Sequence, residues 1–161
     1  MLETGSTIGI LGGGQLARML AVAASRIGYK THIYDPNPES PAFDVASSKT
    51  VGSFHDKYLL QKFAKKIDLA TFEFENVPNS SLEEIENLVS IFPPKKALSI
   101  SQDRIKEKQF FNNLNLKTVE YAPVNTFEDF SIAITKIKIP SILKTCREGY
   151  DGKGQLLISK D

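Results

Sequence analysis

The 161-residue sequence holds one cysteine, two histidines and no tryptophan, and its charges nearly cancel, with 20 Lys and Arg against 19 Asp and Glu. A lone cysteine, Cys146, cannot build a disulfide framework or a four-cysteine zinc site. His32 and His55 add too few soft ligands for a transition-metal cluster. A formal net charge of +1 excludes the basic footprint of a nucleic-acid binder and any long acidic tail. No apolar run approaches the ~20 residues of a membrane span. Residues Met1 to Ser6 lack the basic-then-apolar pattern of a secretory signal. The expectation is a cytoplasmic, reducing setting with neither nucleic acid nor membrane as partner. What is present is ample apolar material, 41% of the residues, in a length that suits one domain, or one domain plus a fragment of a second.

Apolar periodicity organises the first half. Ile8, Ile10 and Leu11 form a short run ending in Gly12-Gly13-Gly14. Leu16, Met19, Leu20, Ala23, Ala24 and Ile27 then recur at helical spacing up to Gly28, a glycine placed to end a helix. Lys30 to Asp35 reads as a strand stopped by Pro36, Pro38 and Pro41. A short strand near Thr50-Val51, a helix from Asp56 to Lys66, a strand Leu69 to Phe74 and a helix Ser80 to Leu88, capped by Ser80 or Ser81, complete the alternation. Strands alternating with helices at this spacing imply a parallel sheet with crossover helices.

The pattern weakens after Phe92-Pro93-Pro94, dividing the chain into residues 1–95 and 96–161. Ala97 to Leu114 reads as one amphipathic helix with Ile105, Phe110, Phe111 and Leu114 inward. A strand at Thr118 to Tyr121, a helix Phe127 to Ile137, a strand Ser141 to Lys144, a glycine-rich turn and a strand Gln155 to Ile158 follow.

Three stretches carry chemistry. Gly12-Gly13-Gly14-Gln15-Leu16-Ala17 fits G-x-G-x-x-G/A after a strand and at a helix start, where backbone N–H groups attract an anion. Asp35, 21 residues past Gly14, stands where a dinucleotide's ribose acid would be. The turn equally suits a Rossmann-like sheet that binds another ligand, and Asp35 equally suits a turn-capping acid before Pro36. Glu73 and Glu75, two apart at the end of a central strand, point to one side and face the ligand crevice of an open α/β sheet. Glu75 also reads as a turn cap, whereas Glu73, inside the strand, needs a partner if buried. Lys144 to Gln155 sets three glycines within seven residues between two strands, with Lys144 before them and Lys153 among them. Such a loop can offer N–H groups and lysine charge to a triphosphate, or be a flexible hairpin with surface lysines.

Taken together, Ile8 to Leu16, Phe72-Glu73-Phe74-Glu75-Asn76, Gln102-Asp103-Arg104 and Gly149-Tyr150-Asp151-Gly152-Lys153-Gly154-Gln155 resemble the carboxyaminoimidazole ribonucleotide synthase family, in the same order. That family, also called the ATPase subunit of phosphoribosylaminoimidazole carboxylase, belongs to the ATP-grasp superfamily. The resemblance covers nearly all of this chain but only the first part of the family's length. It implies an α/β fold in which a Rossmann-like parallel sheet, the pre-ATP-grasp domain at 1–95, is followed by a linker helix and the beginning of an ATP-grasp domain at 96–161. The implied activity is carboxylation of 5-aminoimidazole ribonucleotide with bicarbonate, using ATP and Mg²⁺, an ATP-dependent carbon–nitrogen ligation in purine synthesis.

By motif match, Gly14, Gln15, Leu16 and Glu73 would line the aminoimidazole ribonucleotide site. Arg104, Lys144, Gly149, Tyr150, Asp151, Gly152, Lys153, Gly154 and Gln155 would hold ATP, with Tyr150 and Asp151 facing the reacting centre. Glu148 departs from the family, which has a further glycine there, so looser loop closure or weaker ATP binding is expected. The family's adenine hinge and Mg²⁺ ligands lie beyond Asp161, and no Asp/Glu pair here is assigned to metal. The expectation is therefore a chain inactive by itself, a truncated product or half of a split enzyme. The open edge of the Leu143 strand would then suit self-association as a homodimer or a complementing C-terminal polypeptide. Two other readings are an NAD(P)-binding Rossmann domain and a non-catalytic remnant serving as an interaction module.

Overall fold

A computed structural model describes residues 2–73, 75–149 and 152–159. The chain divides into two compact units, Met1–Leu98 and Ser99–Asp161.

The first unit is an α/β layer structure around a four-stranded, all-parallel sheet. Its strands are β1 (Thr7–Leu11), β2 (Lys30–Asp35), β3 (Ser48–Val51) and β4 (Leu69–Phe72). They lie in the order β3-β2-β1-β4, with Leu11 paired to Tyr34 on one side and Phe72 on the other. The chain steps outward from β1 through β2 to β3, then crosses back to place β4 against the opposite edge of β1. The C-terminal ends of β1 and β4 therefore flank the point where strand order reverses, the place where open α/β sheets leave a ligand crevice.

Strand alternation splits the core in two. Ile10 and Ile33 pack with Ala17, Ala42 and Phe43 on the face covered by α1 (Gln15–Arg26). Leu11 and Tyr34 pack with Leu60, Phe63, Leu82, Ile85 and Leu98 on the other face. There α2 (Lys57–Ala64), α3 (Asn79–Glu83) and the start of α4 (Lys95–Ser101) supply the cover. Asp56, not a helical residue itself, caps α2 by accepting from the Leu59 N–H at 2.9 Å.

Helix α1 departs from the expected face. Its buried residues are Ala17, Ala21 and Ala24, while Leu16 and Met19 are 58% and 60% exposed. Ile10 and Ile33 fill the space under α1, so only methyl-sized side chains fit between helix backbone and sheet. The helix ends as expected. Gly28 takes φ +86°, its N–H donates to Ser25 O, and the Tyr29 N–H donates to Ala24 O, the double bond of a Schellman motif.

Three other expectations are corrected. Strand β4 stops at Phe72, so Glu73 lies in the bend after it rather than inside the strand. Helix α3 begins behind Pro78, with no side-chain cap from Ser80 or Ser81; the Ser81 hydroxyl donates instead to Phe54 O at 2.7 Å. The single helix expected from Ala97 to Leu114 is two, α4 and α5 (Arg104–Asn113), because Asp103 takes an extended backbone and caps α5 through the Ile105 and Lys106 N–H groups.

In the second unit, α6 (Phe127–Ile137) opens with a capping box between Thr126 and Asp129. Strands β5 (Ser141–Lys144) and β6 (Gln155–Ile158) form an antiparallel pair with Lys144 opposite Gln155. No strand forms at Thr118 to Tyr121: Thr118 bonds the Asn112 side chain instead of a ladder partner. Nor does α5 bury an inward stripe, since Phe110, Phe111 and Leu114 are all exposed. Among the described residues no helix is long and apolar enough to cross a membrane.

Candidate functional site

At the strand-order reversal of the first unit, the three glycines after β1 are fixed by neighbours on both sides. Gly12 turns the chain at φ +101° and its N–H donates to Tyr34 O at 2.9 Å. The Gly13 N–H donates to Asp35 Oδ2 at 2.7 Å, and the Gly14 N–H donates to Glu73 Oε1 at 3.1 Å. At Gly13 a side chain would collide with the Cβ atoms of two neighbours, whereas at Gly14 it would meet only the movable end of Glu73. A Cβ on Gly13 would lie 2.6 Å from Ser40 Cβ, and one on Gly14 would lie 2.7 Å from Glu73 Oε1.

The N-terminus of α1 is thus not an open anion cradle, as the motif suggests, but one met by the protein's own Glu73 carboxylate. Burial pushes the Glu73 carboxyl above its ordinary value. The Gly14 N–H pulls it back, the Asp35 charge raises it again, and the Ala17 N–H and the Glu75 charge oppose one another. A half-buried carboxylate at a helix start is poised to accept a hydrogen bond from a ligand hydroxyl or amine. Gln15 and Leu16, in the first turn of α1, are exposed beside it. The structure so brings Gly14, Gln15, Leu16 and Glu73 into one corner, whereas Glu75 lies in the following turn.

Asp35 is consumed by the loop. Besides Gly13, its Oδ1 accepts from the Asn37 N–H at 2.8 Å and from the Ser40 hydroxyl at 2.7 Å. A dinucleotide would need this carboxylate for its ribose and the glycine N–H groups for its pyrophosphate. Both are already engaged, so Asp35 is the turn-bracing acid and the geometry disfavours the NAD(P) reading. Ser40, whose hydroxyl completes that brace, was not legible as a site residue, because only the folded turn places it against Asp35.

In the second unit, the loop after β5 closes on itself. The Thr145 N–H donates to Gly154 O at 2.8 Å. Gly152 and Gly154 take φ +81° and +67°, and a Cβ on Gly149 would sit 2.8 Å from Thr145 Oγ1. Thr145 is the residue that sequence inspection overlooks. Its side chain occupies the space that glycine at 149 and 154 leaves, and no spacing rule marks it.

Arg104, first residue of α5, donates from Nη2 to Gly149 O at 3.1 Å, and its backbone N–H donates to Cys146 O at 3.0 Å. Arg104 and Lys144 both line a groove of about 790 Å³ whose walls come from α5, α6, β5 and the segment 118–124. Lys153 is exposed, and Gln155 opens β6 opposite Lys144. Tyr150 and Asp151, the residues expected at the reacting centre, lie outside the described residues.

A profile for the ribonucleotide synthetase pre-ATP-grasp domain matches residues 5–102, and an ATP-grasp domain profile matches residues 109–161. A bifunctional purine synthesis protein purC/E of Dictyostelium discoideum is 45% identical over 159 residues, 99% of this chain and 16% of that protein. An N5-carboxyaminoimidazole ribonucleotide synthase of Brucella melitensis is 44% identical over 98% of this chain and 44% of its own length. Among solved structures, an ADP complex of a purK N5-carboxyaminoimidazole ribonucleotide synthetase superposes with a TM-score of 0.95 at 38% identity, covering all of this chain and 43% of that one. An Aspergillus clavatus N5-carboxyaminoimidazole synthase in complex with ADP and 5-aminoimidazole ribonucleotide gives 0.85 at 26% identity, over 98% of this chain and 41% of that one. The chain thus spans less than half the length of these relatives.

Proposed function

The chain belongs to the ribonucleotide synthetase pre-ATP-grasp family, and from that premise we propose that it takes part in the ATP-dependent carboxylation of 5-aminoimidazole ribonucleotide. The first unit would hold the aminoimidazole nucleotide, the second the ATP phosphates. The observation that carries this reading is the Gly14–Glu73 corner at the strand-order reversal.

Glu73 would accept from a ribose hydroxyl or the ring amine, with Gly14, Gln15 and Leu16 forming the floor and rim around it. Arg104 and Lys144 would set positive charge against the β and γ phosphates, while Gly149, Gly152, Lys153, Gly154 and Gln155, together with Tyr150 and Asp151, would cover them. In the reaction this implies, the γ-phosphoryl group passes to a bicarbonate oxygen, leaving ADP and carboxyphosphate. The substrate amine then attacks the carboxyl carbon, phosphate departs, and the nitrogen loses its proton to give the N-carboxylated product. Carboxyphosphate is labile in water, so a loop that excludes solvent serves the second step.

Magnesium accompanies phosphoryl transfer of this kind. Among the described residues no three His, Cys, Asp or Glu side chains converge as a metal site, so no step is assigned to metal ligands of this chain.

Calorimetric titration of the purified chain with 5-aminoimidazole ribonucleotide tests the proposal. The expected result is saturable one-to-one binding that Glu73→Ala weakens at least about tenfold, the equivalent of ~1.4 kcal/mol. Absence of binding to the folded wild-type chain, or equal binding to the variant, overturns it.

A further inference from the structure

The glycine loop is tied to the corner between α4 and α5 at three points. Cys146 O accepts from the Arg104 N–H at 3.0 Å. Gly149 O accepts from Arg104 Nη2 at 3.1 Å. Between them, Arg147 Nη2 donates to Gln102 Oε1 at 3.2 Å. The corner itself is fixed, because Asp103 caps α5 through two N–H groups. Glu148 sits inside this span at φ +63°, in the left-handed region that a residue with a Cβ rarely occupies. Such a conformation persists only where its surroundings over-determine it. Here the neighbours on either side, Arg147 and Gly149, are each held by a side chain of the same corner.

The two straps differ in what else they could do. Arg104 and Lys144 line the groove, and Arg104 is assigned above to the phosphates. Its guanidinium therefore serves the loop and the proposed ligand together. Arg147 does not line the groove. Its guanidinium bonds Gln102 instead, at an exposed position.

We propose that Arg147 is a positioning residue: by anchoring to Gln102 it sets the start of the glycine loop, so that Arg104 can turn from Gly149 to a phosphate without releasing the loop. The proposal rests on the assignment of ATP phosphates to this unit and adds to it a residue that no motif match singles out.

The test combines amide hydrogen exchange of residues 146–149 in the ligand-free chain with calorimetric titration of ATP. Arg147→Ala is expected to raise exchange across that segment about tenfold and to weaken ATP binding about three- to tenfold. Arg147→Lys, which keeps a cationic donor, should recover most of both. Gln102→Glu, which gives the guanidinium a charged acceptor, should slow exchange, and the gain should shrink as salt is raised. Affinity for 5-aminoimidazole ribonucleotide should stay unchanged in all three, which separates a loop effect from misfolding. Unaltered exchange in Arg147→Ala overturns the strap, whatever ATP does. Altered exchange with unaltered ATP affinity overturns its role in nucleotide binding. A wild-type chain that fails to bind ATP sinks the functional assignment instead, and the exchange arm reports separately.

Discussion

The Gly14 N–H and the Glu73 carboxylate meet at 3.1 Å across the reversal of strand order, joining the start of α1 to the end of β4. A Cβ at 14 would meet that carboxylate, so a side chain there has to displace Glu73 from the turn. The contact also gives Glu73 two duties, bracing the turn and facing the crevice.

Those duties separate by substitution. Glu73→Gln keeps an oxygen for the Gly14 N–H, whereas Glu73→Ala removes it and should cost about 1 kcal/mol of stability. The Glu73 carboxyl is raised above its unfolded value, mainly by burial. Its contribution is therefore fully present below the unfolded value and is lost as pH rises through the folded one. Removing the charge should accordingly leave Glu73→Gln as stable as the wild type at neutral pH, or more so, while nucleotide binding falls. Chemical denaturation at pH 7 beside ligand titration checks both. A Gln variant that unfolds as readily as the Ala variant would show that the charge, not the hydrogen bond, holds the turn.

Gly13 bears on stability alone. Its hypothetical Cβ falls 2.6 Å from Ser40 Cβ and 2.9 Å from Asp35 Cβ, the two side chains that brace the loop. Gly13→Ala must push them apart and should cost about 2 kcal/mol, in the range of overpacked sites. Gly5→Ala, with nothing within 4 Å of its Cβ but a φ of +92°, isolates the backbone part of the penalty. Urea unfolding of the two variants should rank Gly13→Ala the more damaging.

Legibility in the sequence followed locality. The proline-stopped run Lys30–Asp35 and the helix Phe127–Ile137 show their boundaries directly, because the signals that set them, such as Pro36 directly after the strand, act within a few residues. The buried face of α1 was hidden. Leu16, Met19 and Leu20 repeat at helical spacing just as a core stripe does, and only the bulk of Ile10 and Ile33 on the sheet decides that Ala17, Ala21 and Ala24 face inward. Asp103 looked like a mid-helix residue, since a cap is recognised only by the break before it. At the site, the strand-turn-helix placement of Gly12 to Gly14 was readable. The partner of each N–H was not, because Asp35 comes from the end of β2 and Glu73 from the bend after β4.

His32 makes the first unit acid-sensitive. It is 2% exposed, its Nε2 lies 2.8 Å from Thr50 Oγ1, and its ring meets Phe63 edge-on. Burial and the Lys66 charge lower its pKa from 6.5 to about 4, against a smaller opposing bond at Lys49. The folded value lies below the unfolded one, so the unfolded chain takes up the proton first. Stability is unaffected above about pH 6.5, falls as pH drops toward 4, and levels off below, for a total of about 3 kcal/mol. Thermal unfolding of the wild type and His32→Gln across this window should show their difference shifting in favour of Gln as pH falls. A difference independent of pH would mean that His32 is not kept neutral by the fold.

Glu148 offers a substitution expected to improve the chain. At φ +63° its Cβ is in the conformation that L residues avoid, a cost of roughly 1–2 kcal/mol. Glycine removes that cost but gives the unfolded chain more freedom, worth about 0.5–1 kcal/mol in the other direction. The net for Glu148→Gly runs from neutral to a gain of about 1.5 kcal/mol. The larger effect should be on nucleotide binding, because the variant also removes a negative charge next to Gly149, where phosphates are proposed to lie. ATP affinity should therefore rise, and rise more at low salt than at high, since the part due to charge is screened. Glu148→Gln divides the two causes: it keeps the Cβ and drops the charge, so it should match Glu148→Gly in the salt-dependent part of the affinity gain and show none of the gain in stability. If both variants bind ATP no better than the wild type at any salt concentration, the turn at Glu148 does not face the phosphates.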